Sequence, residues 1–360
     1  ETLLHSACIN GQLEMTKYLI ETYPKMLCEV DDSKNTPAHH AAESGCIAVL
    51  SYLIDRGTDP WCRTSEEETL LHSACINGQL EMTKYLVETY PAMLHAVDNN
   101  KSTPAHHAAE SDSVSVVSYL IDHGIDPWCR TSEEETLLHR ACINGQLEMT
   151  KYLIETYPTL LIEVDNNEST PVHNAAESGI VPVLRYLTDC GTDPWCRTSD
   201  KETLLHRACI NGQLEMTKYL VETYPKMLYE VDSSKRTPAH HAAESGDVSV
   251  LSYLIDCGID PWYINYEDES LLHRACKKGQ IDMTKYLVET YPTMLYKVDE
   301  RMRTPAHHAA ESGNVSVLSY LIDCGIDPWC RNSEDETLLH RACKKGQIDM
   351  TKYLVETYPT

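Results

Sequence analysis

The sequence repeats itself every 67 residues, and that period limits what the chain can fold into more than any other feature. The segment E-T-L-L-H begins at Glu1, Glu68, Glu135 and Glu202, recurs as E-S-L-L-H at Glu269, and returns at Glu336. Each module divides again. A Thr, once a Ser, stands three residues before a His at Thr2, Thr36, Thr69, Thr103, Thr136, Thr170, Thr203, Thr237, Ser270, Thr304 and Thr337. The steps alternate between 34 and 33 residues, which makes eleven units of two kinds. Composition agrees: 21 Tyr and 0 Phe are what multiplication of one short ancestor leaves behind.

Units of the first kind read T-L-L-H-x-A-C-x-x-G-Q-L-E-M-T-K-Y-L-I-E-T-Y-P, and units of the second read T-P-A-H-H-A-A-E-S-G-x-x-x-V-L-S-Y-L-I-D-x-G-x-D-P-W-C. Both spell a short helix, a turn, a longer helix and an exit loop. Thr36 suits an N-cap, since its hydroxyl can accept from a free first-turn N–H. Pro37 suits the first helical position, where no donor is needed. Gly45 ends the helix, and Val49, Leu50, Leu53 and Ile54 set out the three-four spacing of a second one. Gly57 closes it, and Asp59-Pro60 opens a turn. Isolated helices this short are marginal in water, so each pair must bury its apolar face on the next pair.

The pattern resembles the ankyrin-repeat family, and the resemblance covers the whole chain. T-P-A-H-H-A-A-E-S-G and V-L-S-Y-L-I-D-x-G-x-D match the family motif almost position for position. It implies an all-α solenoid of stacked helix-turn-helix units with short β-hairpin loops. Residues 1–360 are then one continuous array, with units starting near 2, 36, 69, 103, 136, 170, 203, 237, 270, 304 and 337, expected to be a fragment of a longer one. It also implies that the motif histidines, such as His5, His39 and His72, are structural, bonding back towards the Thr and the loop backbone. Departures are local. Leu3 and its equivalents replace the motif Pro, Asp112 stands where ten units have Gly, and Glu67 and Glu134 fill loop positions where the family prefers Gly, so those two tips are expected to bend differently.

Several chemistries find no support. Nucleotide-loop, dinucleotide, zinc-protease and nucleophile-elbow motifs are absent, and every polar group is copied about once per module, whereas an enzyme needs one unique constellation. No catalytic residue, cofactor or small-molecule substrate is therefore expected. His5/Cys8 and its five equivalents could offer two metal ligands each, but a structural zinc site needs four, so no metal site is expected. The 15 Cys include no C-x-x-C, and the module with Cys62 has Arg56 where later modules place Cys190 or Cys324, so free thiols and a cytoplasmic setting are expected. Oxidised thiols, or glycans on the sequons at Asn100, Asn167 and Asn314, would indicate an extracellular one. A net charge of −25 opposes nucleic-acid binding, and no apolar run is long enough for membrane insertion.

What remains is binding to a protein partner or to itself. The resemblance implies a non-catalytic protein–protein interaction scaffold that uses the concave face and loop tips. The expected concave stripe is His40, His107, Arg140, Arg207, His241, Arg274, His308 and Arg341, a solvated face with Glu43, Glu110, Glu244 and Glu311 three residues beyond the histidines. Trp61, Trp128, Trp195, Trp262 and Trp329 are possible loop anchors, either packing the exit loop on its neighbour or meeting a partner. Near-identity of the modules also suits a structural rod or self-assembling fibre. Protein purified without added zinc is expected to carry negligible metal, and reductant to leave the melting temperature almost unmoved. Stoichiometric zinc, or a large shift on reduction, would contradict this reading.

Overall fold

A computed structural model describes residues 1–358. Among the described residues there are 22 α-helices, five short 3-10 helices and no strand. Each first helix starts one residue after its Thr or Ser, from Leu3–Ile9 after Thr2 to Leu338–Lys344 after Thr337. The alternating 34/33 phase therefore holds along the chain.

The helices sort into two compact units, residues 1–175 with 182–192, and residues 176–181 with 193–360. The division runs through the repeat that carries Pro171–Ser178 and Val181–Asp189. In the first unit, Leu3–Ile9, Pro37–Glu43, Leu70–Ile76, Pro104–Glu110 and Leu137–Ile143 pack side by side, each with its longer second helix against it. In the second unit, Leu204–Ile210, Pro238–Ser245, Leu271–Lys277, Pro305–Ser312 and Leu338–Lys344 do the same. Small residues permit this close approach: Ala41, Ala42, Ala108 and Ala109 are fully buried. Neighbours supply the burial. Leu3 is 66% exposed, while the equivalent Leu70, Leu137, Leu204 and Leu271 are at 0%. Covering such a side chain is worth about 1.5–3 kcal/mol.

Hydrogen bonds also cross between repeats. From Gln79 onward, the Gln that opens each first-kind second helix donates to a carbonyl at the end of the first helix of the preceding repeat, as Gln79 to Glu43 at 2.9 Å and Gln280 to Glu244 at 2.9 Å. These carbonyls lack an intrahelical partner, so the bond caps one repeat with the next. It requires a bare turn beneath it: a Cβ on Gly45, whose φ is +72°, would run into the Gln79 amide.

One side-chain oxygen builds each loop. Asp31 Oδ1 accepts from the backbone N–H of Ser33 at 2.9 Å and of Asn35 at 2.8 Å. Asp98, Asp165, Asp232 and Asp299 repeat this, and Thr64 and Asn265 do it in the alternate loops. The result is a hairpin-like turn, closed by Asp31 N–H to Asn35 O at 3.0 Å and too short to form a strand. Adjacent tips share one backbone bond, as Ser65 N–H to Ser33 O at 2.9 Å and Asn99 N–H to Glu66 O at 2.9 Å. The expectation that Glu67 and Glu134 bend their tips differently is corrected. Their φ values of 63° and 61° match those of Lys34, 61°, and Lys101, 57°, because the capping oxygen dictates the turn whatever residue sits at its tip. Asp112 likewise adopts the glycine conformation, φ 59°, and its Oδ1 accepts from Met149 N–H of the next repeat at 2.8 Å.

The 3-10 helices are an addition to the expected plan. Pro24–Cys28, Pro91–His95, Pro158–Ile162, Pro225–Tyr229 and Pro292–Tyr296 follow the first-kind second helices, each opened by a Pro. All but the first carry core residues, including Met93, Leu160, Met227 and Met294 at 0% exposure.

Met302, exposed at a loop tip with φ 56°, tests the loop argument. A left-handed non-glycine residue costs about 1–2 kcal/mol. Glycine returns part of that, about 0.4–1 kcal/mol, through its freer unfolded state. Met302→Gly is therefore expected to stabilise the protein by about 0.5–1 kcal/mol in urea titration; destabilisation would show that the tip is unstrained.

Candidate functional site

The motif histidines of the first-kind repeats join the start of their own helix to the next loop, whereas His39, His240 and His307 of the second kind bond the helix start through Nδ1 and leave Nε2 without a hydrogen bond. The N–H of Thr69 donates to His72 Nδ1 at 3.1 Å, the Thr69 hydroxyl lies 2.9 Å from the same nitrogen, and Nε2 reaches the Ser102 carbonyl at 3.2 Å. His139, His206 and His273 make the same links to Ser169, Arg236 and Arg303, each at 3.1 Å. With Nδ1 accepting, Nε2 carries the proton and donates, so the ring is neutral. Burial enforces this, pushing His72, His206 and His240 down to about 3 and His39, His106, His139, His273 and His307 down to about 4.

The expected stripe is not a solvated face, and this corrects the sequence reading. His40, His107, His241, His308, Arg274 and Arg341 are buried, and only Arg140 and Arg207 keep side-chain exposures of 29% and 21%. The reason is a set of partners distant in sequence. Each histidine turns Nε2 to the loop-building aspartate nine residues earlier: His40 to Asp31 at 3.2 Å, His107 to Asp98 at 3.1 Å, His241 to Asp232 at 3.1 Å and His308 to Asp299 at 3.0 Å. Each arginine lies between two glutamates, one from the preceding repeat and one from its own loop. Arg274 Nε donates to Glu244 at 2.7 Å and Nη1 to Glu269 at 2.9 Å. Arg341 does the same with Glu311 at 2.7 Å and Glu336 at 2.9 Å, and Arg140 with Glu110 at 2.7 Å and Glu135 at 3.1 Å. Arg207 pairs with Glu177 and, at 3.2 Å, with Glu202. Glu110, Glu244 and Glu311 thus go to the next repeat's arginine, and Glu43 alone among these four bonds its own histidine, His40 Nδ1 at 2.9 Å.

Sequence reasoning missed the aspartates and the loop glutamates. A signal existed: every stripe arginine has a Glu five positions before it and another thirty before it. Among the described residues, Glu, Asp and His donor atoms converge within 4.8 Å in three places: Glu68, Asp98 and His107; Glu202, Asp232 and His241; and Glu269, Asp299 and His308. In the last two a guanidinium already sits on the aspartate, Arg236 at 2.6 Å and Arg303 at 2.7 Å, which supplies the charge an ion would bring. Against the cost of burial, His107 and the Ser102 amide hold Asp98 down to about 2, and Arg274 and Lys277 hold Glu269 down to about 2.

The loop tryptophans pack and remain visible. Trp61, Trp128, Trp195 and Trp262 meet Tyr90, Tyr157, Tyr224 and Tyr291 edge-on, with centroids 5.5–6.2 Å apart. All five are still 39–44% exposed. The 15 cysteines are free thiols. Cys75, Cys142, Cys209 and Cys276 are fully enclosed, and burial raises each to about 12, which keeps it protonated. No helix among the described residues is long and apolar enough to cross a membrane.

A family model described as ankyrin repeats in three copies matches residues 1–64, 57–131, 126–198, 182–265 and 272–359. The chain is 28% identical over 392 aligned residues to a Transient receptor potential cation channel subfamily A member 1 homolog of Caenorhabditis elegans, covering 99% of this chain and 32% of that protein. It is 26% identical to Alpha-latrocrustotoxin-Lt1a of Latrodectus tredecimguttatus, covering 86% of this chain and 23% of the toxin. It is 21% identical to the Ankyrin repeat and KH domain-containing protein mask-1 of Caenorhabditis elegans, over 99% of this chain and 14% of that protein. The chain spans about a third or less of the length of these relatives.

Two outcomes follow from the buried charges. Arg274→Ala takes the guanidinium from buried Glu244 and Glu269 and leaves them Arg236 at 3.4 Å and Lys277 at 3.2 Å as their nearest cations, so it is expected to cost about 1–3 kcal/mol in denaturant titration, against under about 0.5 kcal/mol for a solvated residue. A near-neutral result would restore the solvated stripe. The motif histidines bind protons more weakly folded than unfolded, where their value is about 6.5. Their contribution is complete above that value and is lost as pH falls towards the folded values of about 3–4. Asp98 and Glu269 act in the same direction, while His40, raised by its bond to Glu43, opposes. Calorimetry is expected to show the melting temperature falling steadily from about pH 6.5 to about pH 4; a flat profile would mean that these rings are not buried neutral.

Proposed function

The chain belongs to the ankyrin-repeat family, and from that premise we propose that it is a non-catalytic scaffold that binds a protein partner through the first-helix face and the loop tips. The observation that carries this is the division between what is buried and what is left outside. The recurring polar groups, motif histidines and loop aspartates in every module and stripe arginines from Arg140 onward, are taken up in holding the repeats together. The tryptophans at the same interval are two-fifths exposed, and exposed tryptophan is an anchor suited to a protein surface. Of the stripe, Arg140 and Arg207 are open enough to touch a partner, while His40, His107, His241, His308, Arg274 and Arg341 hold the face in shape. Exposed Ile76, Asn77 and Lys278 extend that face. Buried thiols that stay protonated suit a reducing compartment such as the cytoplasm.

The test replaces Trp61, Trp128, Trp195, Trp262 and Trp329 together by Ala, with a five-fold Phe variant as control for loop packing. Proximity labelling in cells is expected to recover a partner with the parent chain and the Phe variant, and to lose it with the Ala variant. Equal recovery from all three would remove the loop tips from the binding surface. Filaments of the purified chain under the electron microscope, lost in the Ala variant, would make the partner another copy of the same chain.

A further inference from the structure

The arginine of the stripe gives way to serine in two of the six first-kind repeats, at Ser6 and at Ser73. At four first-kind repeats an arginine follows the motif histidine and is clasped by two glutamates, as Arg140 is by Glu110 and Glu135 and Arg274 by Glu244 and Glu269. At the repeat that starts with Thr69 the same position is Ser73. The two glutamates are still there: Glu43 lies thirty residues before Ser73 and Glu68 five before it, the spacings that Glu110 and Glu135 keep from Arg140. What the guanidinium fills elsewhere is open here. A cavity of about 260 Å³ is lined by Glu43, Glu66, Glu68, Asn35, Thr64 and Ser73, with no lysine or arginine in its wall. In the second unit the corresponding space is about 180 Å³ and is lined by Arg236 and Arg274.

The neighbouring histidine registers the missing cation. His107, His241 and His308 leave Nδ1 without a hydrogen bond, because their glutamates are turned to the arginine of the next repeat. His40 Nδ1 instead holds Glu43 at 2.9 Å. Glu68 accepts from the Thr64 hydroxyl at 3.3 Å and has its second oxygen 3.9 Å from His107. The clasp is thus assembled by the same two elements as its sisters, and the imidazole that takes Glu43 offers it a single donor where a guanidinium offers a fork.

We propose that the cleft of Glu43, Glu68 and Ser73 is a receptor for an arginine side chain presented by a protein partner. Entry of the guanidinium reproduces the bonding of Arg140 and Arg274: one edge donates to Glu43, which leaves His40 Nδ1 as its sister histidines are, and an Nη donates to Glu68. Arginine fits better than lysine, because two carboxylates clasping one planar group use its fork of donors, while an ammonium is a point charge. Exposed Ile76 also lines the cleft and gives a residue beside that arginine an apolar contact. This deepens the scaffold reading and rests on it for the polypeptide source of the arginine.

The experiment titrates the whole chain with N-acetyl-arginine methylamide, and with its citrulline and lysine counterparts, following the Ser73 amide and the Ile76 methyl groups by NMR. Saturable shifts with the arginine compound, at least about tenfold weaker binding of the lysine compound and none of the citrulline compound are expected. Ser73→Arg places the chain's own guanidinium in the clasp, so it is expected to abolish the shifts and raise the melting temperature. Glu43→Gln with Glu68→Gln is expected to abolish them too; should that pair fail to fold, Ser73→Arg, which copies the sister repeats, still decides. Absence of shifts in the parent chain, an equal response to citrulline, or binding retained by Ser73→Arg would overturn the proposal. The five-Trp variant separates the two readings: loss of its partners with the arginine shifts intact speaks for the scaffold surface alone, and shifts without any recoverable partner leave the receptor standing while the scaffold reading fails.

Discussion

A helix of seven residues satisfies few of its own backbone groups and cannot persist alone in water, yet first helices of that length recur through this chain. The motif histidine offsets that deficit. Its Nδ1 receives the first orphan N–H of the helix, and in first-kind repeats such as that of His72 its Nε2–H donates to the carbonyl of the next repeat's loop. One neutral ring thereby ties helix start, loop and neighbour together. The geometry requires the ring to be buried, and burial keeps it neutral, so the bond and the protonation state support one another. The Gln that caps the preceding helix performs the corresponding task at the other end.

On this frame the chain lays a second set of contacts, made of charges. Aspartates that build the loops take the second-kind histidines, and arginines draw glutamates from two repeats. Burying so much charge is favourable only when each group is paired and hydrogen-bonded. That condition explains why a strongly acidic chain can hold carboxylates such as Glu269 and Asp299 out of water. It also reverses the usual reading of a titratable residue: here the repeated polar groups are structural, and the informative position is the one where the copy fails. Ser73 is such a position, because its neighbours are arranged for a cation that the chain itself does not provide.

The family pattern, the eleven helix starts and the structural histidines could be read from residues a few positions apart, since capping and helix periodicity are local. The 3-10 segments were not foreseen, although Tyr-Pro a residue or two before a pair of apolar residues carries a signal for them, with Pro at a helical first position. Nor was the burial of the stripe. Arg274 alternates with polar and small residues in a way that suits an exposed helix face, and nothing beside it in sequence shows that Glu244, thirty residues earlier, will reach it.

What the sequence alone determined is the part of the structure that repeats: the unit, its boundaries and the need of each unit for a neighbour, because these follow from helix geometry and from apolar residues at fixed intervals. Tertiary structure decided which polar residues are inside. Whether His241 or Arg140 meets solvent depends on how closely adjacent first helices approach and on which loop carboxylate lies across the gap. Those distances are set only when one repeat is packed against the next, and so the same residue types became a buried ladder at most positions and an open acidic cleft at Ser73.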